Sequence, residues 1–241
     1  MGLTDAVDIV VLNCNNDLDL RECVNSIKQN TEGRYNLIIV DQNSQDGSRE
    51  WLIENKIASH LILNKRNKGV AVGYNQGIRA GRYPWIAFID SDVVIKDNQW
   101  LDKMWNYTID RRVGLIEGCV KIPTQMGKVF NGLAFCLIRR QCLNELGLFS
   151  KEFYVDAEKE FFIKIEDSWW KSAFCYDVDI FHRRGGTTAG VLKDKIVQLR
   201  EQTENVLKHK YTQDFLTETL GLNSDTRAKK EKELLSKDLS I

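Results

Sequence analysis

Four short apolar segments, each a candidate β-strand, alternate with helix-like segments in the first 95 residues of this 241-residue chain. The predicted strands are Val7–Leu12, Tyr35–Val40, Leu61–Leu63 and Trp85–Ile89. Between the first two, apolar residues recur with the spacing of one helix face at Leu20, Cys23, Val24 and Ile27. Strands separated by helices of this length predict an α/β fold, with a mostly parallel, Rossmann-like central sheet and helices on both faces.

Polar residues crowd the carboxyl ends of the predicted strands. They are Asn13, Asn15, Asp41, Asn43, Asp46, Asn67, Asp90 and Asp92. In open parallel sheets, ligands bind outside the carboxyl ends of the strands. We therefore expect one cleft to collect these side chains.

The segment Asp90-Ser91-Asp92 follows the apolar run Trp85–Ile89 and is a candidate metal site. Side chains at i and i+2 of a strand point the same way, so the two carboxylates can converge where the chain leaves the sheet. Mg²⁺ and Mn²⁺ take oxygen ligands, often one or two carboxylates together with the phosphates of a substrate. A strand-end turn with two solvated aspartates is the alternative interpretation of this motif.

The second half of the chain is less regular and predicts a smaller, mixed region. Its candidate strands are Val113–Ile122, Val129–Ile138 and Phe174–Phe181. Its candidate helices are a short one that ends at Gly147, one around Phe161–Ile165 and an amphipathic one over Val191–Tyr211. The highly charged residues 222–241 predict a frayed helix or a mobile tail.

Composition narrows the class of protein. Lys+Arg and Asp+Glu balance at 34 each, which gives no reason to expect nucleic acid as the main partner. The six cysteines show neither C-x-x-C nor zinc spacing, so we expect buried free thiols in a cytoplasmic protein. No stretch approaches the ~20 apolar residues of a membrane span. The C-terminal helix is the candidate for a peripheral membrane contact or an oligomer contact.

Three further segments carry motifs: Val10–Asn16, Ile39–Ser48 and Asn67–Gly77. In their order and spacing, with Asp90-Ser91-Asp92 in the place of a D-x-D motif, they resemble glycosyltransferase family 2, especially its rhamnosyltransferase-like branch. The resemblance implies the GT-A fold, with a single domain over residues 1–215 and a charged tail over residues 216–241. Within that domain it implies a nucleotide-binding half (1–95), an acceptor-binding and catalytic half (96–190) and a packing helix (191–215).

The resemblance also implies roles at the donor site. Asp41 would hydrogen-bond the nucleobase, and Asn13 would lie along the nucleoside. Asp90 would reach the ribose, and Asp92 would hold a divalent cation, Mn²⁺ or Mg²⁺, on the diphosphate. For Asn13 and Asp41, turn chemistry at a strand end is the alternative, because Asx side chains bond their own backbone there.

The segment Asn67–Gly77 resembles the N-x-G-x-A-x-G-x-N motif of the family. By that resemblance Asn67, Gly69 and Asn75 would bind the nucleotide sugar. Cys14 departs from the family pattern, since many relatives carry an aromatic residue in this first loop. A different group is then expected to hold the nucleobase, or the preference for the base differs.

An inverting transfer needs a carboxylate that takes the proton of the acceptor hydroxyl. By the resemblance, Glu158 stands at the position of this base, with Asp156 as the reserve. Glu166-Asp167 spells the acidic pair of the family literally. However, the family places a helix and a strand between the base and a histidine, and only Glu158 leaves room for both before His182. His182 is expected to complete the metal site or to contact the diphosphate, and Arg183-Arg184-Gly185-Gly186 to bind phosphate.

The resemblance therefore implies a metal-dependent inverting glycosyltransferase. It would move a hexose or deoxyhexose from a nucleotide-sugar donor to a saccharide, lipid-linked, protein or other hydroxyl acceptor. One alternative is an inactive GT-A protein that only binds sugars or nucleotides, because Glu158 replaces the aspartate of the family. Another is a nucleotidyltransferase, although Asn13-Cys14-Asn15-Asn16 has neither the glycine nor the lysine expected of its first loop.

Overall fold

The computed structural model of the protein describes residues 6–121, 128–130, 132–183, 195–212 and 216. Its first four strands are β1 (Val7–Asn13), β2 (Tyr35–Asp41), β3 (His60–Leu63) and β4 (Trp85–Ile89). They are parallel and lie in the order β3-β2-β1-β4. The intervening helices are α1 (Asp17–Asn30), α2 (Ser48–Asn55) and α3 (Val70–Ala80). The predicted parallel sheet is thus confirmed.

The second half of the chain extends the same sheet with antiparallel strands. Its elements are β5 (Val93–Ile95), α4 (Trp100–Trp105), β6 (Val113–Lys121), β7 (Lys128–Phe130), β8 (Phe135–Arg139), α5 (Arg140–Leu146), α6 (Glu158–Glu166), β9 (Lys171–Cys175), β10 (Ile180–His182) and α7 (Ile196–Lys210). Strand β8 pairs antiparallel with both β4 and β6, while β9 runs parallel to β6. Strand β7 completes an eight-stranded mixed sheet.

Two predicted strands were wrong. The segment Val129–Ile138 is not one strand, because a 3-10 turn at Gly132–Ala134 separates β7 from β8. The segment Phe174–Phe181 is also divided, and its two parts belong to different sheets. Strand β9 pairs with β6, whereas β10 pairs with β5 in a separate two-stranded ribbon.

The predicted C-terminal helix is confirmed in its described part, α7. Residues 191–194 of that prediction lie outside the described residues, as does the predicted tail except for residue 216. In the part of the chain that the structure describes, no helix is both long enough and apolar enough to span a bilayer. The five cysteines whose side chains are described are buried and free, as predicted: Cys14, Cys23, Cys136, Cys142 and Cys175.

Apolar side chains cover both faces of the sheet. One layer packs α1 and α4 against the first face, with Leu20, Ile27 and Trp100 fully buried. The other packs α3, α5 and α6 against the second face and includes Tyr74 and Phe161. Because both faces are covered, the polar chemistry is left to the strand ends.

A buried ion pair ties the two halves of the chain together at the amino end of β1. The fully buried carboxylate of Asp8 accepts hydrogen bonds from Asn36 Nδ2 at 2.8 Å, the Tyr83 backbone N–H at 2.7 Å and Arg140 Nη2 at 2.7 Å. Arg140 also donates to the carbonyls of Tyr83 at 2.6 Å and Ile78 at 2.8 Å. Both charges are therefore neutralised and hydrogen-bonded, as burial requires.

Candidate active site

Asp90, Asp92 and His182 form a cluster at the carboxyl end of β4. One ligand atom of each residue lies within 4.8 Å of the others. The chain turns directly after β4, where the Val93 N–H donates to the Asp90 carbonyl at 3.0 Å. This turn presents both carboxylates on the same side of the sheet edge. His182 Nε2 lies 3.1 Å from Asp92 Oδ1.

Strand pairing explains how a distant histidine reaches the D-x-D segment. In the antiparallel ribbon of β5 and β10, His182 stands opposite Val93, the residue after Asp92. The next residue, Arg183, donates its backbone N–H to the Asp92 carbonyl at 3.0 Å. The register of this ribbon therefore determines that an imidazole joins the two carboxylates.

The donor set of this cluster fits a divalent cation. The two carboxylates offer oxygen ligands, which suit Mg²⁺ and Mn²⁺, and the imidazole adds a nitrogen ligand. Mg²⁺ and Mn²⁺ also bind substrate phosphates in sites with few protein ligands. Asp92 is buried and Asp90 half-buried, so uncompensated negative charge here is costly and a cation would offset it.

The hydroxyl of Tyr74 on α3 donates to Asp90 Oδ1 at 3.1 Å. Burial raises the pKa of Asp90, and the neighbouring Asp92 carboxylate adds to this rise. The neighbouring His182 and the hydrogen bond from Tyr74 lower the pKa of Asp90 in turn. Burial and the Asp90 carboxylate also raise the pKa of Tyr74 well above its usual value, so the phenol stays protonated and remains a donor.

Glu158 is the first residue of α6, and its surroundings distinguish it from the other acids. Burial raises its pKa to about 7, and the nearby Asp156 and Asp90 carboxylates contribute further. Asp90 thus lies close enough to Glu158 to affect its ionisation. The rival pair Glu166-Asp167 is exposed at the end of α6.

Asp156 precedes α6 with a left-handed backbone, at φ 52°. Its carboxylate lies 3.1 Å from Lys159 Nζ and 3.7 Å from Arg200 Nε of α7. It is therefore ion-paired with side chains of α6 and α7.

Helix α7 contacts the loop that leads into Glu158. The Thr203 hydroxyl is buried and donates to the Val155 carbonyl at 3.1 Å. Lys210 Nζ lies 3.0 Å from Glu160 Oε1 and 2.5 Å from Glu152 Oε2. We call residues 147–157 the base loop, since they lead into Glu158.

Asn13 and Asp41, at the ends of β1 and β2, are fully buried. Asn13 Nδ2 donates to Asp41 Oδ1 at 3.1 Å, Ser44 Oγ at 3.0 Å and Ser48 Oγ at 2.8 Å. Asp41 Oδ2 also accepts from Arg49 Nη1 and from two backbone N–H groups of the following turn, each at 3.1 Å. The turn chemistry considered for these residues is thus present, and their contact with a nucleotide stays a prediction.

Three residues of the N-x-G-x-A-x-G-x-N segment, Asn67, Gly69 and Asn75, connect loops of the site. Asn67 Oδ1 accepts from the Gly69 N–H at 2.9 Å, and its Nδ2 lies 3.3 Å from Cys14 Sγ. Gly69 has φ +83°, and a Cβ there would come within 2.8–2.9 Å of Tyr154 in the base loop. Asn75 is buried, and its amide exchanges hydrogen bonds of 2.7 and 3.1 Å with the Phe149 backbone. A donor sugar contact for these three residues stays a prediction.

Two contacts of the site were not predicted from the sequence. One is the hydrogen bond of Tyr74 to Asp90. In the sequence, Tyr74 looks like an ordinary core residue on an apolar helix face, and only its hydroxyl indicates a second role. The guanidinium of Arg183, for which phosphate binding was expected, pairs with Asp19 and with Glu22 of α1, the latter at 3.0 Å. Arg184–Gly186 lie outside the described residues.

A mixed α/β sheet with an acidic cluster at the end of β4 defines the GT-A class of fold. Solved structures with that fold are similar to this chain. The mannosyltransferase PcManGT from Pyrobaculum calidifontis, in complex with GDP-Man and Mn²⁺, is 19% identical with a TM-score of 0.64, over 83% of this chain and 64% of that chain. S. aureus TarS 1-349, in complex with UDP-GlcNAc, is 13% identical with a TM-score of 0.62, over 89% and 70% respectively.

Residues 8–150, more than half of the chain, match the family model described as "Glycosyl transferase family 2". The chain therefore belongs to glycosyl transferase family 2. Among curated proteins, glycosyltransferase GlyG of Streptococcus pneumoniae is 30% identical over 102 residues, which cover 40% of this chain and 33% of GlyG. The matches span between 26% and 41% of the length of the curated relatives. The rhamnosyltransferase-like branch stays a prediction.

Proposed function

We propose that this protein is a metal-dependent inverting glycosyltransferase that uses a nucleotide sugar and a carboxylate base. The observation that carries the proposal is the meeting of two features in one site. One is the Asp90, Asp92 and His182 cluster, and the other is a half-buried Glu158 whose pKa is raised to about 7. Similar proteins were solved with GDP-Man and Mn²⁺ or with UDP-GlcNAc, which supports a hexosyl or deoxyhexosyl donor.

In this proposal Asp92 and His182 hold the cation, and Asp90 stands beside them as a third ligand or as the contact to the ribose. A bound Mn²⁺ or Mg²⁺ would neutralise charge on the departing nucleoside diphosphate. Glu158 takes the proton of the acceptor hydroxyl while the oxygen of that hydroxyl bonds to C1 of the sugar. At the same time the bond between C1 and the diphosphate oxygen breaks, so the configuration at C1 inverts.

The proposed nucleoside position lies beside Asn13, at the end of β1. Asn13 Oδ1 is a buried side-chain oxygen without a hydrogen-bond partner among the described residues. Such atoms are costly when unsatisfied. Because Asn13 is fully buried, a nucleoside hydroxyl or N–H would reach this oxygen only after the side chains that cover it move. Asp41 orders the adjoining turn, while Asn67, Gly69 and Asn75 shape the donor pocket by joining α3 to the neighbouring loops.

The other two functions fit the site less well. A nucleotidyltransferase has no use for a general base near the cation cluster. An inactive binding protein needs no such acid either, because an acid whose surroundings oppose its ionisation costs stability, and that cost is typical of functional sites. The acceptor class stays open among saccharide, lipid-linked, protein and other hydroxyl compounds.

Donor binding is expected to require the cation. With Mn²⁺ and a nucleotide sugar at ~100 times its Kd, the melting temperature should rise by about 5–10 °C. Without Mn²⁺, the rise should be lost. The measurement is a thermal-shift comparison with GDP-mannose and UDP-N-acetylglucosamine, each with Mn²⁺ or EDTA.

Matched variants sharpen this test. Asp92→Asn should remove the Mn²⁺-dependent rise, whereas Asp102→Asn, an exposed acid on α4, should keep it. A donor that stabilises the protein equally in EDTA, or in the Asp92→Asn variant, would contradict the metal dependence.

The transfer rate is expected to depend on the ionisation of Glu158. Because its pKa is raised to about 7, the carboxylate is protonated at lower pH and cannot accept a proton. Below pH 7, kcat/KM should therefore fall by about tenfold per pH unit, and above it the profile should level off. Donor binding with Mn²⁺, measured over the same range, separates this effect from a pH-dependent loss of the cation. A flat rate profile from pH 5.5 to 8.5 would be inconsistent with Glu158 as the base.

A further inference from the structure

Tyr74 lies between the two chemical groups of the site. It is on α3, is buried, and donates its hydroxyl to Asp90 Oδ1 at 3.1 Å. Both Asp90 and Glu158 act on its phenol electrostatically, so the side chain is close to the cation cluster and to the base. No motif or comparison assigns it a role.

Aromatic packing holds the Tyr74 ring in place. Its centroid is 4.3 Å from that of Phe88, two residues before Asp90 on β4, and 5.7 Å from that of Phe149 in the base loop. Phe149 in turn packs at 5.3 Å on Phe161 of α6. Since the ring cannot shift without disturbing these contacts, the position of its hydroxyl is also determined.

A fixed donor has a direct consequence for Asp90. A carboxylate that binds a hydrogen-bond donor through one oxygen has a restricted rotation, and its other oxygen is directed elsewhere. In metal sites such outer partners orient the ligands, and their loss typically lowers metal affinity 10- to 100-fold. The pair of Tyr74 and Asp90 has this arrangement, with Asp92 and His182 completing the cluster.

We infer that Tyr74 is a positioning residue, which orients the Asp90 carboxylate toward a divalent cation without itself touching the donor. This inference rests on the proposed function, because it presumes that the cluster binds a cation. Residues 67–77 contain no second tyrosine that could replace Tyr74.

The test is Mn²⁺ binding by Tyr74→Phe, which removes one oxygen and keeps the ring packing. The Kd for Mn²⁺, measured by electron paramagnetic resonance of the free ion on the full chain, should rise about tenfold or more. Tyr35→Phe, a half-buried tyrosine at the start of β2 far from the cluster, should bind Mn²⁺ like wild type. The Mn²⁺ concentration that gives half-maximal transfer should shift in parallel for Tyr74→Phe.

The possible outcomes distinguish the positioning role of Tyr74 from the proposed function. If wild type binds Mn²⁺ and Tyr74→Phe binds it within twofold of wild type, the role of Tyr74 is refuted and the proposed function stands. If wild type binds no Mn²⁺, both fail together. A melting temperature that falls while the Kd for Mn²⁺ is unchanged would show that Tyr74 only stabilises the core, which also refutes the inference.

Discussion

Glu158→Gln is expected to lower the rate constant of sugar transfer by about 10²- to 10⁴-fold, the usual contribution of a general base. The amide is nearly isosteric with the carboxyl group but cannot accept the acceptor proton. Affinity for the nucleotide sugar and Mn²⁺ should change little, because the cluster of Asp90, Asp92 and His182 is intact. The measurement is kcat under saturating donor, with donor binding followed by thermal shift.

The matched control for this variant is Glu166→Gln. Glu166 ends the same helix but is exposed, so its amide should transfer sugar at the wild-type rate. Glu158→Gln should also raise the melting temperature at pH 8, because a carboxylate whose pKa is raised on folding destabilises the fold where it is ionised. Transfer by Glu158→Gln at more than a tenth of the wild-type rate would rule out this residue as the base.

Arg140→Ala is expected to destabilise the protein by about 3–5 kcal/mol, the cost of leaving one partner of a buried ion pair uncompensated. The Asp8 carboxylate, which is fully buried, would keep the donors from Asn36 and Tyr83 but lose the guanidinium. The carbonyls of Ile78 and Tyr83 would lose their donor as well. Urea unfolding, analysed by linear extrapolation, measures the difference.

The control variant is Arg112→Ala, which removes one partner of a solvent-exposed ion pair. Arg112 and Asp110 lie 3.4 Å apart with side chains 43% and 45% exposed. Arg112→Ala should therefore cost no more than about 1 kcal/mol. Equal losses for Arg140→Ala and Arg112→Ala would mean that the Asp8 pair contributes no more than a surface contact.

The first half of the chain, through β4, could be predicted because its signals are local. Each of β1 to β4 is a short apolar run that ends in polar residues, and each helix between them shows its own periodicity. Antiparallel strands of the second half depend on distant partners. A run such as Phe174–Phe181 reads as one strand, although Asp177 and Asp179, which are disfavoured inside strands, mark the break between β9 and β10.

Within the site, the sequence indicated residues with chemical groups but not the contacts between them. His182 was expected to complete the metal site of the D-x-D segment or to contact the diphosphate, and the structure places it in one cluster with Asp90 and Asp92. Tyr74 was missed because a tyrosine on an apolar helix face is usually core, and its partner Asp90 is 16 residues away. Asn75 was assigned to the donor from its motif, whereas its contacts with Phe149 become visible only when α3 meets the base loop.

The contact between α7 and the base loop has a consequence for the order in which parts of the site form during synthesis. Thr203 and the Val155 carbonyl that it holds are 48 residues apart in the chain. At a synthesis rate of ~5–20 residues per second, roughly 2–10 s pass between the emergence of the two from the ribosome. The acids after β4 are made long before either. His182 is made between Val155 and Thr203. A nascent chain therefore has all three residues of the Asp90, Asp92 and His182 cluster before α7 can hold the loop that leads into Glu158.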